Sequence, residues 1–126
     1  MAASAQTAQS LRQKYSEPVS ETFKIRPQVL LTVRYAKTGE VCSMLIEPRD
    51  IWVGYAKLNN PELLKDKILD DVLEELAPQN QRGKFLVGTH RAGMLEYYEH
   101  VDIQRRGETD KWHYAVIFWK IKACEN

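Results

Sequence analysis

At 126 residues, 44% of them hydrophobic and 28% charged, the chain has the size and composition of one globular domain. Its formal charge of +1 gives no global field to steer nucleic acid or an anionic membrane, so polyanion binding would need a local basic patch. No apolar run approaches the ~20 residues that span a bilayer, so membrane insertion is not expected.

Residues 1–19 read as a flexible or partly helical N-terminal segment, and 20–126 as a single α+β domain. Ala3-Ser4-Ala5 has the A-x-A pattern of signal cleavage sites, compatible with an exported protein whose leader was replaced or with an ordinary small-residue tail. From Gln6 to Tyr15, Ala8, Leu11 and Tyr15 fall on one side of a short helix.

From Thr22 to Tyr35 the chain alternates. Phe23, Ile25, Val29, Leu31 and Val33 take one face, and Thr22, Lys24, Arg26, Thr32 and Arg34 the other, with Leu30 the one lapse. Ala36 to Glu40 supplies a turn around Gly39, and Val41 to Ile46 returns as a second strand. Glu47-Pro48-Arg49 ends it. The irregular stretch from Asp50 to Asn60 holds Trp52 and Tyr55, which either line a ligand groove or fold back as a lid.

Asn60 as N-cap and Pro61 at the first helical position open a helix that ends at Ala77-Pro78. Its apolar arc is Leu64, Ile68, Leu69, Val72, Leu73 and Leu76. Six acids and two lysines between Glu62 and Leu76 give a charge of −4, and acids persist into the last turn, where the macrodipole disfavours them. Either a solvated face or a basic partner such as Arg82 or Lys84 accounts for this.

Phe85-Leu86-Val87 is a short apolar segment before a turn between Gly88 and Gly93. Met94–Arg105 and Lys111–Ile121 then form two further strands, the last apolar on both faces. The predicted fold is therefore an antiparallel sheet of about four strands in two hairpins, with one long helix packed on one face.

A simple final hairpin places Asp102 opposite His113. It buries Leu95, Tyr97, Val101, Ile103, Trp112, Tyr114, Val116 and Phe118, and leaves His100, Asp102 and His113 on the other face beside Ala115, Ile117 and Trp119. That trio suits an Asp-oriented base, a metal site or a plain polar sheet end. No nucleophile, dinucleotide or zinc motif is present, so neither a cofactor nor a catalytic residue is predicted. Cys42 and Cys124 are the only cysteines, either joined as one disulfide or unpaired.

The run TFKIRPQVLLTVRYAKTGEVCSMLIEPR, with LKDKILDDVLEELAP and QRGK, resembles small exported bacterial proteins of unassigned function, which implies export and assigns no site. The strand-turn-strand-helix-strand order is similar to TonB and TolA C-terminal domains, which add strands to partner peptides. This chain departs from them in its extra final strand and in lacking a Pro-rich linker and anchor. The functional expectation is a non-enzymatic interaction domain, binding a protein or itself through a sheet edge or the Ile117/Trp119 face. The alternative is a small-molecule or enzymatic pocket between helix and sheet lined by Trp52, Tyr55, His100, Asp102 and His113.

Overall fold

The computed structural model describes residues 7–15, 19–49, 63–90 and 93–125, and the backbone of two short strands at 52–53 and 56–57. In chain order the elements are α1 (Ala8–Tyr15), β1 (Ser20–Arg26), β2 (Val29–Tyr35), β3 (Val41–Pro48), β4 (Trp52–Val53) and β5 (Ala56–Lys57). There follow α2 (Asp66–Leu76), α3 (Gln79–Arg82), β6 (Phe85–Thr89), β7 (Gly93–Tyr98), β8 (Val101–Glu108) and β9 (Lys111–Trp119). A 3-10 turn, Lys122–Cys124, completes the set.

The architecture is α+β with an antiparallel sheet, and it corrects the expected four strands and one long helix. Seven strands lie in the order β1-β2-β3-β9-β8-β7-β6, while β4 and β5 form a separate ribbon. Two reversals hidden in the sequence explain the difference. Pro27-Gln28 turns the chain between Arg26 and Val29, which pair across it, so the alternating run is two strands of one hairpin. Glu99-His100 does the same between β7 and β8, where Met94 to Arg105 reads as one strand. Period-2 alternation reports which face a side chain takes, and it continues through a tight turn without registering that the strand has changed direction. Phe85–Thr89 adds the seventh strand as an edge.

The helix is also shorter than expected. Leu63 to Lys65 is not helical, because Leu64 exchanges both backbone hydrogen bonds with Trp112, each at 2.9 Å. Helix α2 therefore starts at Asp66 and spans 11 residues; Asn60, Pro61 and Glu62 lie outside the described residues. At the N-terminus, α1 opens with a reciprocal cap in which Thr7 and Ser10 each bond the other's backbone N–H at 3.0 Å.

One face of the sheet makes the core. Val29, Leu31 and Val33 of β2, Ile46 of β3, Ala115 and Ile117 of β9 and Val101 and Ile103 of β8 are buried against Leu64, Leu69, Val72 and Leu73. The β8–β9 register corrects the expected pairing. A two-residue turn, Thr109-Asp110, joins Glu108 to Lys111, and a bulge beyond it sets Asp102 opposite Phe118. Gly107 sits in that bulge at φ 130°, where an added Cβ would lie 2.6 Å from the Lys111 carbonyl oxygen. The resulting offset from the simple hairpin is an odd number of residues, so it exchanges faces. Ala115 and Ile117 go inward, and Tyr114, Val116 and Phe118 go outward.

A disulfide joins Cys42 of β3 to Cys124 of the C-terminal turn, with their Cα atoms 5.6 Å apart. It closes a loop of sequence separation 82, long enough for the constraint on the unfolded chain to stabilise the fold by about 4 kcal/mol. Cys42→Ala/Cys124→Ala is expected to unfold at correspondingly lower urea, and reductant should shift the wild type alone. Equal midpoints for the two proteins would contradict this.

Candidate functional site

The polar trio predicted on one sheet face is not assembled. His100 lies in the β7–β8 turn, where its carbonyl accepts from the Lys120 N–H at 3.0 Å. His113 lies near the opposite end of β9, seven residues earlier, or roughly 23 Å along an extended strand. Both histidines are exposed, and His100 faces Glu99 at 3.6 Å. Asp102 is held by Lys120, whose Nζ is 3.0 Å from Oδ1 and also donates to the Tyr98 carbonyl at 2.6 Å. Among the described residues no group of three or more His, Cys, Asp or Glu could hold a metal ion. Tyr55 and the side chain of Trp52 lie outside the described residues.

The interface candidates Ile117 and Trp119 are corrected as well. Ile117 is fully buried beneath α2, and Trp119 is half-buried against the same core. The β9 register that turned Phe118 outward carried both of them inward.

A polar clasp fixes α2 onto this side of the sheet. Asp66, Asp70 and Glu74 recur every four residues, so they form one row along the helix. Asp66 Oδ1 accepts from Trp112 Nε1 at 2.6 Å and from the Asp110 N–H at 2.9 Å. Asp70 accepts from Arg105 Nη1 at 2.6 Å, and Glu74 lies 3.6 Å from Arg82 Nη2. The buried Arg82 also donates to the Ala77 carbonyl at the end of α2 and to the Tyr98 hydroxyl. Tyr98 in turn donates to Glu96 at 2.8 Å; burial first, and then the Glu96 contact, raise its pKa against the opposing pull of Arg82. On the other flank Arg26 donates to Glu75 at 2.6 Å. The acids crowding the end of the helix thus have cations facing them, Arg82 among them.

The second sheet face lies opposite α2, and the ladders order it into cross-strand rows. The middle row runs Thr22–Thr32–Leu45–Val116–Gln104–Leu95–Thr89, one residue from each of the seven strands and none of them charged. One flanking row runs Ser20–Arg34–Ser43–Phe118–Asp102–Tyr97–Val87. The other holds Lys24, Leu30 and Glu47 on the left half and Tyr114, Arg106 and Gly93 on the right. All the register shifts fall outside these rows, so the patch is regular. Leu30, the lapse in the alternation, belongs here; it and the doubly apolar β9 were the sequence signals of this face. Thr22 and Thr32 share a hydroxyl hydrogen bond at 3.0 Å, and Phe118 is 46% exposed.

The two sheet edges differ. Strand β1 carries Glu21, Lys24 and Arg26 and is bulged, as guarded edges are. Strand β6 is bulged as well, between Phe85 and Val87, but it carries no charge, and Phe85, Leu86 and Val87 are each half exposed or more. Phe85 rests edge-on against Tyr98 with ring centroids 5.4 Å apart.

Fold and surface together define an α+β protein whose antiparallel sheet is covered by a helix on one face and organised as a charge-free stripe on the other. In comparisons with known proteins the chain matches no family model, no curated protein and no solved structure.

The clasp predicts how the fold responds to acid. The Trp112 hydrogen bond, and after it the Asp110 N–H, hold the Asp66 carboxyl below its ordinary pKa, with Arg105 adding to them against the cost of desolvation. Stability from that charge is complete above the ordinary value of about 4 and drains away as pH falls through the lower folded value. Asp66→Asn should therefore flatten the acid limb of urea-unfolding stability below pH ~4. Superimposable limbs would refute the assignment.

Proposed function

We propose that this protein is a non-enzymatic binding module whose working surface is the outer sheet face, with β6 as its free edge. The uncharged row from Thr22 to Thr89 carries the reading. A centre depleted of charge, with aromatic residues beside it and charges at the margin, is the composition of a protein–protein interface. Here Tyr97, Tyr114 and Phe118 supply the aromatics, and Lys24, Arg34, Glu47, Asp102 and Arg106 the margin. Among the described residues no strand lies beyond the uncharged β6 edge, and such an edge suits partners that add a strand. The Cys42–Cys124 disulfide favours a working place in an oxidising compartment.

The reading is tested by capture from an extract of the cells that make the protein, using immobilised wild type, Val116→Lys and Phe118→Glu, with Lys67→Glu on the exposed side of α2 as control. Wild type and control are expected to retain the same protein, a second copy included, and the outer-face variants to lose most of it while melting at unchanged temperature. Retention indifferent to Val116→Lys and Phe118→Glu would overturn the proposal.

A further inference from the structure

We propose that the occupant of the outer face is a second copy of this chain, packed sheet on sheet about a twofold axis that runs along the row Thr22–Thr89. This rests on reading that face as the working surface, and it adds the partner and the register. A half-turn about the row lays each of its residues on the same residue of the partner, and it exchanges the two flanking rows strand by strand. Along the row Leu45, Val116 and Leu95 then meet their own copies. Gln104 also meets its copy, and its amide can both donate to and accept from another amide.

Across the row the match is between unlike groups. On β9, Phe118 faces the partner's Tyr114, aromatic on aromatic. On β8, Asp102 faces the partner's Arg106. On β2, Arg34 faces the partner's Leu30, with the partner's Glu47 on the adjoining strand. Within the three rows no charge faces its like; Lys120, which is paired with Asp102, lies in none of them. A twofold along β9 instead would lay Gln104 on the partner's Leu45 and Leu95 on the partner's Thr32, two mismatches of polar on apolar in the central row itself, where the proposed axis confines its one such mismatch, Arg34 on Leu30, to the flank.

The extent of the surface sets the strength of the pairing. Three rows across the five strands β2, β3, β9, β8 and β7 cover roughly 24 Å by 20 Å in plan. That is about 480 Å² for each partner, against the ~800 Å² of a standard interface, which is the size of a weak or transient pairing. The pairing would be of the aligned sandwich type, with sheets about 10 Å apart and strand directions within about 30°.

Size-exclusion chromatography with light scattering tests this. Wild type is expected to run as a dimer. Asp102→Arg and Arg106→Asp each set like charges face to face, so each alone should dimerise at least roughly tenfold more weakly. Mixed together, or combined in one chain, they should recover the dimer. Gln104→Glu and Gln104→Lys probe the axis in the same way: each is weak alone and the mixture is restored. Near-UV circular dichroism verifies that every variant is folded.

Weak single variants restored by mixing support the pairing, and a dimer that mixing fails to restore overturns the register. A monomeric wild type overturns self-pairing. If Val116→Lys nonetheless releases a captured heterologous protein, the working-surface reading stands without it. A dimer untouched by Val116→Lys overturns self-pairing through this face, and capture equally untouched by Val116→Lys overturns the working-surface reading as well.

Discussion

The constraint on which the structure turns is the mismatch in size between its sheet and its helix. Seven strands spaced ~4.8 Å apart make a sheet about 34 Å wide, whereas the 11 residues of α2 form a rod about 16 Å long and ~10 Å across. One such helix can dry only part of one face. The core accordingly concentrates under it, where Leu69, Val72 and Leu73 meet Ile46, Ala115 and Ile117. At the periphery the helix is held by polar contacts, and the opposite face is left to chemistry of its own.

Those polar contacts explain an otherwise awkward helix. Its C-terminal turn carries acids where the macrodipole favours cations. Arg82 answers this, since its guanidinium lies against Glu74 and donates to the Ala77 carbonyl at the helix end. Arg105 and Trp112 hold the two acids upstream. The carboxylates of Asp70 and Glu74 are exposed while the Arg105 and Arg82 side chains are largely buried, so these pairs compensate two cations inside the fold as well as joining helix to sheet. Together they fix the angle and register of α2 on the sheet, which apolar packing alone leaves loose because burial has no direction.

The outer face matters because it departs from a common arrangement in antiparallel sheets, in which one face packs on the core and the other is polar and wet. Its outer strands, β1 and β2, follow that pattern with Thr22, Lys24, Thr32 and Arg34. Strands β3, β9 and β7 do not: Leu45, Val116, Phe118, Leu95 and Tyr97 replace the polar series, interrupted between β9 and β7 by Asp102, Gln104 and Arg106 of β8. A localised departure at the middle of a sheet, rimmed by charges of both signs, is the form expected of a surface that works by contact. Histidines held at opposite ends of β9 leave no comparable centre of polar chemistry on that strand.

Much of this was legible in the residues. Alternation in Val29, Leu31 and Val33 named the core face of β2, and the arc Leu69, Val72, Leu73 named the buried side of the helix, because periodicity follows directly from backbone geometry. Unpaired alternatives for Cys42 and Cys124 stayed open, since pairing is a matter of distance in space. What only the tertiary structure decided was where the chain reverses and how its ribbons register. Pro27-Gln28, Glu99-His100 and the Gly107 bulge each alter direction or offset without disturbing the local pattern. In a strand whose two faces are both apolar, as in β9, nothing local says which face is buried. The neighbouring ladder has to choose, and its choice put Ile117 in the core and Phe118 at the surface.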